Sequence, residues 1–387
     1  MLAVAAARPA GGADVTAPTL RIAIAIPTYN RLDKLLVALS HVESQATDGR
    51  VDLCCVISNI GSSDGTTDFL AQLESGRVRY IIHNQPEDNV HLNWRRCAEA
   101  IPIDVDWVWF HGDDDFITIP EAVGGVAEII DRLADHQLSL VHITQARRSH
   151  NSGQIRKGPL FDLCNELGFH EVLGWMSSLV VRRDRFVSAI LRSTERVVGA
   201  YRAEDLIERR ISAFAHSAAL LEVCMGDQAC VVDVPWVEPQ DAEQTRESIV
   251  RWQEAGVNER YFFLIDDLLD MQSRALFPAK LTRTFFRYLT YSLWDRYAGA
   301  LVAAAINART VTAGDQAHWD RVARIAELLA DPAESKTFTL WVSAMRLLVE
   351  QFATQAAVLA ATEAGLRGQL IGADAPSYDF KLLAEGN

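Results

Sequence analysis

The chain has 387 residues, of which 49% are hydrophobic and 8% aromatic, which predicts a globular protein with a full core and about two domains. Its formal net charge of -14 argues against a broad nucleic-acid surface, because phosphate binding requires clustered lysine and arginine. We therefore expect no nucleic-acid partner, and a substrate that is small or brings its own cation.

Strands and helices alternate in the predicted pattern up to residue 130. In chain order the pattern predicts strand 21–29, helix 31–45, strand 51–59, helix 62–74, strand 78–84, helix 93–101, strand 106–112 and helix 119–130. Successive strand-helix units of this kind imply an α/β fold with a mainly parallel sheet flanked by helices. In such sheets, ligands bind beyond the carboxyl ends of the strands.

Polar residues fall at the ends of three predicted strands, which marks this edge of the sheet as a candidate site. They are Thr28, Tyr29, Asn30, Ser58, Asn59 and Asp113 to Asp115. The sequence contains no G-x-x-x-x-G-K-[ST], and no G-x-G-x-x-G follows the first strand. A P-loop or a dinucleotide-binding Rossmann site therefore has little support.

Three adjacent carboxylates, Asp113, Asp114 and Asp115, directly follow the strand 106–112. They repel one another, so a compensating cation or a special environment is expected. A divalent ion held by carboxylate oxygens can also neutralise a nucleoside diphosphate leaving group. In an extended segment, Asp113 and Asp115 project to one side, and we expect this pair to serve metal and ribose, with Asp114 as a further contributor. The alternative is a solvated acidic turn or helix cap.

Four motifs carry a resemblance to a known family: IAIPTYNR, VISNIGSSDGTTDFL, NVHLNWRRCAEAI and WVWFHGDDD. Together they resemble the inverting family-two glycosyltransferases, and within them the abequosyltransferase-like and rhamnosyltransferase-like enzymes of bacterial surface polysaccharide synthesis. The resemblance covers residues 20–240. It implies a GT-A fold, a nucleotide-diphosphate sugar as donor, and manganese or magnesium as cofactor.

The resemblance also implies which residues bind the donor. They are Pro27, Thr28, Tyr29, Asn30, Arg31, Asn59, Asn93, Asp113 and Asp114. Arg31 is expected near the phosphates and Asn93 beside the pocket wall. Asn59 stands where relatives commonly have an aspartate that accepts a hydrogen bond from a pyrimidine; an amide oxygen can still accept, while its NH2 adds donors. Gly112 stands where relatives frequently have an aspartate.

An inverting transfer needs a base that removes the proton of the acceptor hydroxyl. Glu204 and Asp205 resemble the Glu-Asp motif of the family, and Asp205 is the candidate base, with a pKa that repulsion from Glu204 could raise. The alternative is that both carboxylates only favour a helix N-terminus. Trp175 and Ser177 are predicted to line the acceptor pocket or to belong to the core.

The two ends of the chain and the cysteines indicate the domain organisation and the cellular compartment of the protein. Residues 1–19 have no basic n-region and run into Pro and Gly, so they predict a disordered tail rather than a signal peptide. Six cysteines without a C-x-x-C pair predict reduced, mostly buried thiols of a cytoplasmic protein. A GT-A domain is expected over 20–245 and a helical C-terminal domain over 246–387.

Residues 274–292 combine basic and aromatic side chains without an acidic one. This stretch could contact anionic lipid headgroups, which would make the protein peripheral at the inner face of the membrane, or it could be a buried amphipathic helix.

The leading hypothesis is a metal-dependent inverting glycosyltransferase, hexosyl or deoxyhexosyl, acting on a glycan or lipid-linked glycan in polysaccharide synthesis. A sugar-phosphate nucleotidyltransferase and a catalytically inactive glycosyltransferase-like binding protein are the alternatives, and a homo-oligomer stays open.

Overall fold

A computed structural model describes residues 20–46, 49–85, 90–133, 137–198, 203–240, 257–287 and 316–352. The predicted tail over 1–19 and the predicted domain boundary at 245 lie outside these residues. The chain divides into two compact units, Met1–Leu264 and Ile265–Asn387.

The first unit alternates strands and helices. Its strands are β1 (Leu20–Thr28), β2 (Val51–Asn59), β3 (Arg79–Asn84), β4 (Trp107–Phe110), β5 (Asp115–Ile117), β6 (Leu138–Gln145), β7 (Ile155–Pro159), β8 (Leu179–Arg182) and β9 (Gln228–Pro239). Its helices are α1 (Leu32–Glu43), α2 (Thr66–Gln72), α3 (Val90–Ala100), α4 (Ala122–Arg132), α5 (Leu160–Leu167), α6 (Phe169–Leu173), α7 (Arg183–Thr194), α8 (Ala203–Glu208) and α9 (Ala215–Cys224). Short 3-10 helices lie at Met176–Ser178 and Glu195–Val197.

The strands form one mixed sheet in the order β3-β2-β1-β4-β8-β6-β9-β5, with β7 paired to β9. Strands β1 to β4 pair in parallel, as predicted, and β6 pairs with β9 in parallel. Strand β8 runs antiparallel between β4 and β6, while β5 and β7 run antiparallel to β9. This sheet with flanking helices confirms the predicted GT-A architecture.

The central strands are buried on both faces, which is why β1 and β2 are nearly continuous apolar runs. Helix α1 covers the sheet with Leu35, Ala38, Leu39 and Val42 at helical spacing. All six cysteines are free and buried, as the sequence predicts. The core thus fixes the carboxyl ends of β1, β2 and β4 at one edge of the sheet.

The second unit is helical in the residues described. Helix α10 (Val257–Ser273) belongs to it from Ile265 onwards. The helices α11 (Gln316–Ala323), α12 (Ile325–Leu328) and α13 (Pro332–Phe352) follow. The 274–292 segment is described as far as residue 287; Phe285 and Phe286 are buried in a short 3-10 helix, and Arg274 pairs with Asp270. Among the described residues, no helix is long and apolar enough to span a bilayer.

Candidate active site at the carboxyl edge of the sheet

The site begins where β1, β2 and β4 end side by side. Thr28 pairs in register with Asn59, and β4 ends at Phe110, which lies beside Ala25 of β1. The chain after β4 therefore passes next to the end of β1. There the Thr28 hydroxyl donates a hydrogen bond of 2.7 Å to Oδ2 of Asp113.

Residues 113–115, which we call the acidic turn, do not continue β4. Asp113 and Asp114 form a turn, and Asp115 begins β5, with its N–H 3.4 Å from the Gly112 carbonyl oxygen. The segment is therefore not extended, and the condition under which Asp113 and Asp115 would project to one side is not met. The turn arises because β5 leaves β4 to pair with the distant β9. It buries Asp113 and Asp115, which are 5% and 4% exposed.

Glycine at 112 suits this turn for a steric reason. A β-carbon there would come within 2.9 Å of Asp115 Oδ2 and 3.0 Å of Asp114 Oδ1. An aspartate at 112, which relatives frequently have, would therefore require the carboxylates of Asp114 and Asp115 to shift. It would also bring a fourth carboxylate to the cluster.

Arg31 supplies the positive charge beside the acidic turn. Its Nη1 lies 3.0 Å from Asp113 Oδ1 and 2.6 Å from Asp114 Oδ2. Burial lowers the pKa of Arg31, but Asp113 and Asp114 together outweigh this effect and raise it, so the guanidinium stays charged. Burial raises the pKa of Asp113 to about 6 although Arg31 opposes this shift.

Asp115 is held by a different set of partners. Its Oδ2 accepts a short hydrogen bond from the Ser177 hydroxyl, which itself accepts one from Gly112 N–H at 2.8 Å. Trp109 Nε1 donates to the Ser177 carbonyl, which fixes the 3-10 helix there. Burial, and then Asp114, raise the pKa of Asp115 well above its ordinary value, while hydrogen bonds from Ser177 and Trp175 oppose the shift.

These contacts leave a poor fit to a metal ion. Both oxygens of Asp113 accept hydrogen bonds, one from Thr28 and one from Arg31, and Asp114 Oδ2 contacts Arg31 as well. Within the described residues, no group of three or more His, Cys, Asp or Glu side chains is arranged to hold a metal. Arg31 is the counter-ion that the arrangement shows; metal binding by Asp113 and Asp115 stays a prediction.

Asn59 is the centre of a neutral network at the end of β2. Its Nδ2 donates to Thr67 Oγ1 at 2.9 Å and to Asn84 Oδ1 at 2.7 Å. Its Oδ1 accepts from Ser62 N–H at 3.2 Å and from the Ser62 hydroxyl at 2.5 Å. Both amide hydrogens and the oxygen are therefore engaged, and a nucleobase would have to replace one of these partners. The predicted contact of Asn59 with a base stays untested.

The loop after β1 is joined to the loop after β2. Asn30, which has a φ of 50°, donates its N–H to Ser62 Oγ at 2.8 Å and accepts from Ser63 N–H at 2.8 Å. Asp64 accepts from Leu32 N–H at 2.8 Å and from the Thr66 hydroxyl, a local structural role. The two loops therefore form one preorganised surface.

The remaining predicted donor residues lie around this surface. Pro27 is buried in β1, while Tyr29 is 50% exposed and free to offer its ring to a planar ligand. Asn93 on α3 donates Nδ2 to the Thr28 carbonyl at 3.1 Å. Its Oδ1 is buried and has no hydrogen-bond partner among the described residues, beside the end of β1.

The predicted base Asp205 lies on α8 and is half-buried. Glu204 is on the same helix, and its side chain lies outside the described residues. Sequence reasoning placed Ser177 in the acceptor pocket or the core, and it missed Gln240 altogether. Gln240 donates to the carbonyls of Asp113 and Asp115. No local pattern predicts that either residue contacts the acidic turn, since each lies more than 60 positions from it in the chain.

Comparison with known proteins finds a family match over part of the chain. Residues 23–180 match the family described as Glycosyl transferase family 2. The fold is GT-A. A search of curated proteins finds no match.

Two solved structures resemble the chain as a whole. One is S. aureus TarS 1-349 in complex with UDP, with 13% identity, a TM-score of 0.50, and coverage of 89% of this chain and 92% of that one. The other is the same TarS fragment in complex with UDP-GlcNAc, with 12% identity, a TM-score of 0.52, and the same coverage of 89% and 92%. At this identity the likeness concerns the fold.

Proposed function

We propose that the protein is an inverting glycosyltransferase that moves a hexosyl or deoxyhexosyl group from a nucleoside diphosphate donor to a glycan or lipid-linked glycan. The observation that carries the proposal is the charged edge of the GT-A sheet, where Thr28, Arg31 and the acidic turn meet. The match to family two and the nucleotides UDP and UDP-GlcNAc in the TarS complexes support a nucleotide-sugar donor.

Arg31 gives this site a group that can bind a diphosphate. Its side chain is 42% exposed while its Nη1 contacts Asp113 and Asp114. A guanidinium has five N–H donors, so Arg31 can keep these contacts and still offer donors to phosphate oxygens. Positive charge at that position stabilises the diphosphate as the glycosidic bond breaks. Tyr29 next to it offers an exposed ring for the base.

Asp205 is the proposed base. In an inverting transfer, its carboxylate takes the proton of the acceptor hydroxyl while that oxygen attacks the anomeric carbon from the face opposite the diphosphate. The resemblance to family two supports this role, and Asp205 lies half-buried on α8. The abequosyl-like or rhamnosyl-like subtype is a finer part of the same proposal. Dependence on manganese or magnesium stays a prediction, because the contacts of the acidic turn fit a metal ion poorly.

A thermal-shift screen tests the donor class. UDP, GDP, dTDP and CDP are added separately, each with and without manganese, and the melting temperature is measured. Ligand at 100 times its Kd stabilises the folded state by about 2.7 kcal/mol, so a bound nucleotide gives a clear shift. We expect one nucleotide to stabilise selectively. If none of the four does so in either condition, the proposed donor class is wrong.

The variant Asp205→Asn tests the chemistry. It keeps the size of the side chain and removes its basicity, so nucleotide stabilisation should persist while turnover falls about 10²- to 10⁴-fold. Turnover is measured as release of the nucleoside diphosphate from the corresponding sugar donor. Glu208→Gln, an exposed carboxylate on the same helix, is the control and should retain turnover. Native turnover in Asp205→Asn would overturn the base assignment.

A further inference from the structure

Gln240 extends strand pairing onto the acidic turn. The last residue of β9 in register with β5 is Pro239, which lies opposite Asp115. Gln240 follows it, and its backbone N–H donates to the Asp114 carbonyl oxygen at 2.9 Å. Because a proline has no N–H to give, Gln240 supplies the backbone donor at this end of the ladder.

The side chain of Gln240 contacts the backbone on both sides of the site. Its Nε2 lies 2.9 Å from the carbonyl oxygen of Lys34, 3.2 Å from that of Asp113 and 3.4 Å from that of Asp115. The amide group has two hydrogens, so it shares them among these three acceptors. Together with its N–H, Gln240 thus contacts the carbonyl of every residue in the acidic turn.

The hydrogen bonds of Gln240 help to keep the carboxylates of the acidic turn buried. Asp113 and Asp115 are buried close to Asp114, and a loosely held turn would relieve their repulsion by turning the carboxylates towards water. Thr28, Ser177 and Arg31 hold the carboxylates themselves, whereas Gln240 holds the backbone that carries them. The bond to Lys34 also ties the turn to the first turn of α1, three residues after Arg31.

We propose that Gln240 is a positioning residue of the donor site: it fixes the acidic turn against the start of α1, so that Arg31 and Asp113 keep their spacing when a nucleoside diphosphate binds. This inference rests on the proposed function. Gln240 need not touch the donor to act in this way, because its hydrogen bonds all go to backbone carbonyls of the residues that line the site.

The chain offers a matched control in Gln45. Its Nε2 donates to the carbonyls of His41 and Ile119 at 3.0 and 3.1 Å, and its Oε1 accepts from Val123 N–H at 3.1 Å. Gln45 is 3% exposed and ties α1 to the start of α4, away from the acidic turn. Replacing either glutamine by methionine removes the donors with little change in side-chain length.

The experiment compares Gln240→Met, Gln45→Met and the wild type. Affinity for UDP, GDP, dTDP and CDP is measured by calorimetry, and donor KM and kcat are measured with the sugar form of the nucleotide that binds. We expect Gln240→Met to raise the nucleotide Kd and the donor KM about tenfold, with a smaller change in kcat. Gln45→Met should lower the melting temperature but leave both Kd and KM unchanged. Wild-type affinity in Gln240→Met, or an equal loss in Gln45→Met, would overturn the proposal.

Hydrogen exchange gives a second measurement that needs no ligand. In Gln240→Met the amides of residues 112–117 should exchange about tenfold faster than in Gln45→Met, since Gln240, unlike Gln45, donates to the carbonyls of the acidic turn. Unchanged exchange there would overturn the positioning role whichever nucleotide binds. If the wild type binds none of the four nucleotides while this exchange difference is present, the proposed function fails and the ordering role of Gln240 stands.

Discussion

The loop after β2 and the turn after β4 lie at the same edge of the sheet, yet different kinds of interaction stabilise them. Around Asn59 the polar groups are neutral, and each hydrogen-bonding atom of its amide has a protein partner. The acidic turn instead buries Asp113 and Asp115 beside Asp114 and relies on Arg31 for charge. On folding, the polar groups around Asn59 replace their hydrogen bonds to water by equivalent bonds within the protein. The carboxylates of the acidic turn instead lose the hydration of their charges.

The network around Asn59 stabilises the fold, whereas the buried carboxylates of the acidic turn reduce its stability. A satisfied neutral network costs little to bury and fixes the loops that it joins. Burying a carboxylate costs several kcal/mol unless its partners compensate, and the raised pKa of Asp113 and Asp115 shows that compensation is incomplete. Groups with such shifts occur preferentially at functional sites.

The largest expected effect comes from breaking the neutral network. Asn59→Leu keeps the side chain's approximate size but removes all four hydrogen bonds, two of which satisfy the buried Ser62. Unsatisfied buried groups cost about 1–3 kcal/mol each, so we expect the free energy of unfolding to fall by about 4 kcal/mol. Urea unfolding measures it. The control Asn84→Leu removes one exposed partner and should cost about 1 kcal/mol. Equal losses would contradict the central role of Asn59.

The effect of a substitution in the acidic turn should depend on pH. The Asp113 pKa is about 6 in the folded protein against 3.8 in the unfolded chain. Its contribution to stability is therefore fully present below pH 4 and is lost as the pH rises through 6. The side chain of Asp113→Asn does not titrate, so the variant does not show this loss. The free energy of unfolding of Asp113→Asn minus that of the wild type should therefore increase by roughly 2–3 kcal/mol from pH 4 to pH 8.

The measurement must be a difference between variant and wild type at each pH. Buried His142 and His216 have a pKa of about 4, lowered chiefly by burial, so the unfolded chain binds their protons first as the pH falls below 6.5. These histidines destabilise the protein in acid and act against Asp113 over the same range. They are present in both proteins and cancel in the difference. A difference that does not change with pH would contradict the raised pKa of Asp113.

The sequence predicts the parallel half of the fold well, and the reason is local. Strands β1 and β2 are buried on both faces, so each is an apolar run that ends in a polar residue, and the predicted 51–59 coincides with Val51–Asn59. The edge of the sheet, and with it Thr28, Asn59 and the three aspartates as neighbours, follows from that pattern and the rule for parallel strands.

What the sequence cannot predict depends on contacts between distant segments. The acidic turn bends because β5 pairs with β9, whose residues lie more than 110 positions later in the chain. Ser177 and Gln240 contact this turn from positions that carry no local signature. The sequence also predicts a metal as counter-ion, whereas the structure shows Arg31 at the carboxylates, because guanidinium geometry is invisible in a one-dimensional pattern.

The smallest expected effect separates the ion pair of the acidic turn from an ordinary surface pair. Removing Arg31 with Arg31→Met should lower the free energy of unfolding by about 1 kcal/mol at pH 8, since its side chain is 42% exposed and partly screened. In a double-mutant cycle with Asp113→Asn the coupling should also reach about 1 kcal/mol, because Asp113 is buried. The exposed pair Arg324 and Glu327, whose side chains are 49% and 56% exposed, should give about 0.2–0.5 kcal/mol in the cycle of Arg324→Met with Glu327→Gln.

A higher salt concentration should separate the coupling energies of the two ion pairs further. Raising the ionic strength from 0.1 to 1 M shortens the screening length from about 10 to about 3 Å, which weakens exposed pairs more than buried ones. The coupling of Arg324 with Glu327 should then vanish, while most of the coupling of Arg31 with Asp113 persists. If both couplings disappear together, Asp113 is solvated in solution, and the contrast between the neutral network and the acidic turn does not hold. If the second persists, Arg31 is a permanent part of the site and not a surface charge that happens to lie near it.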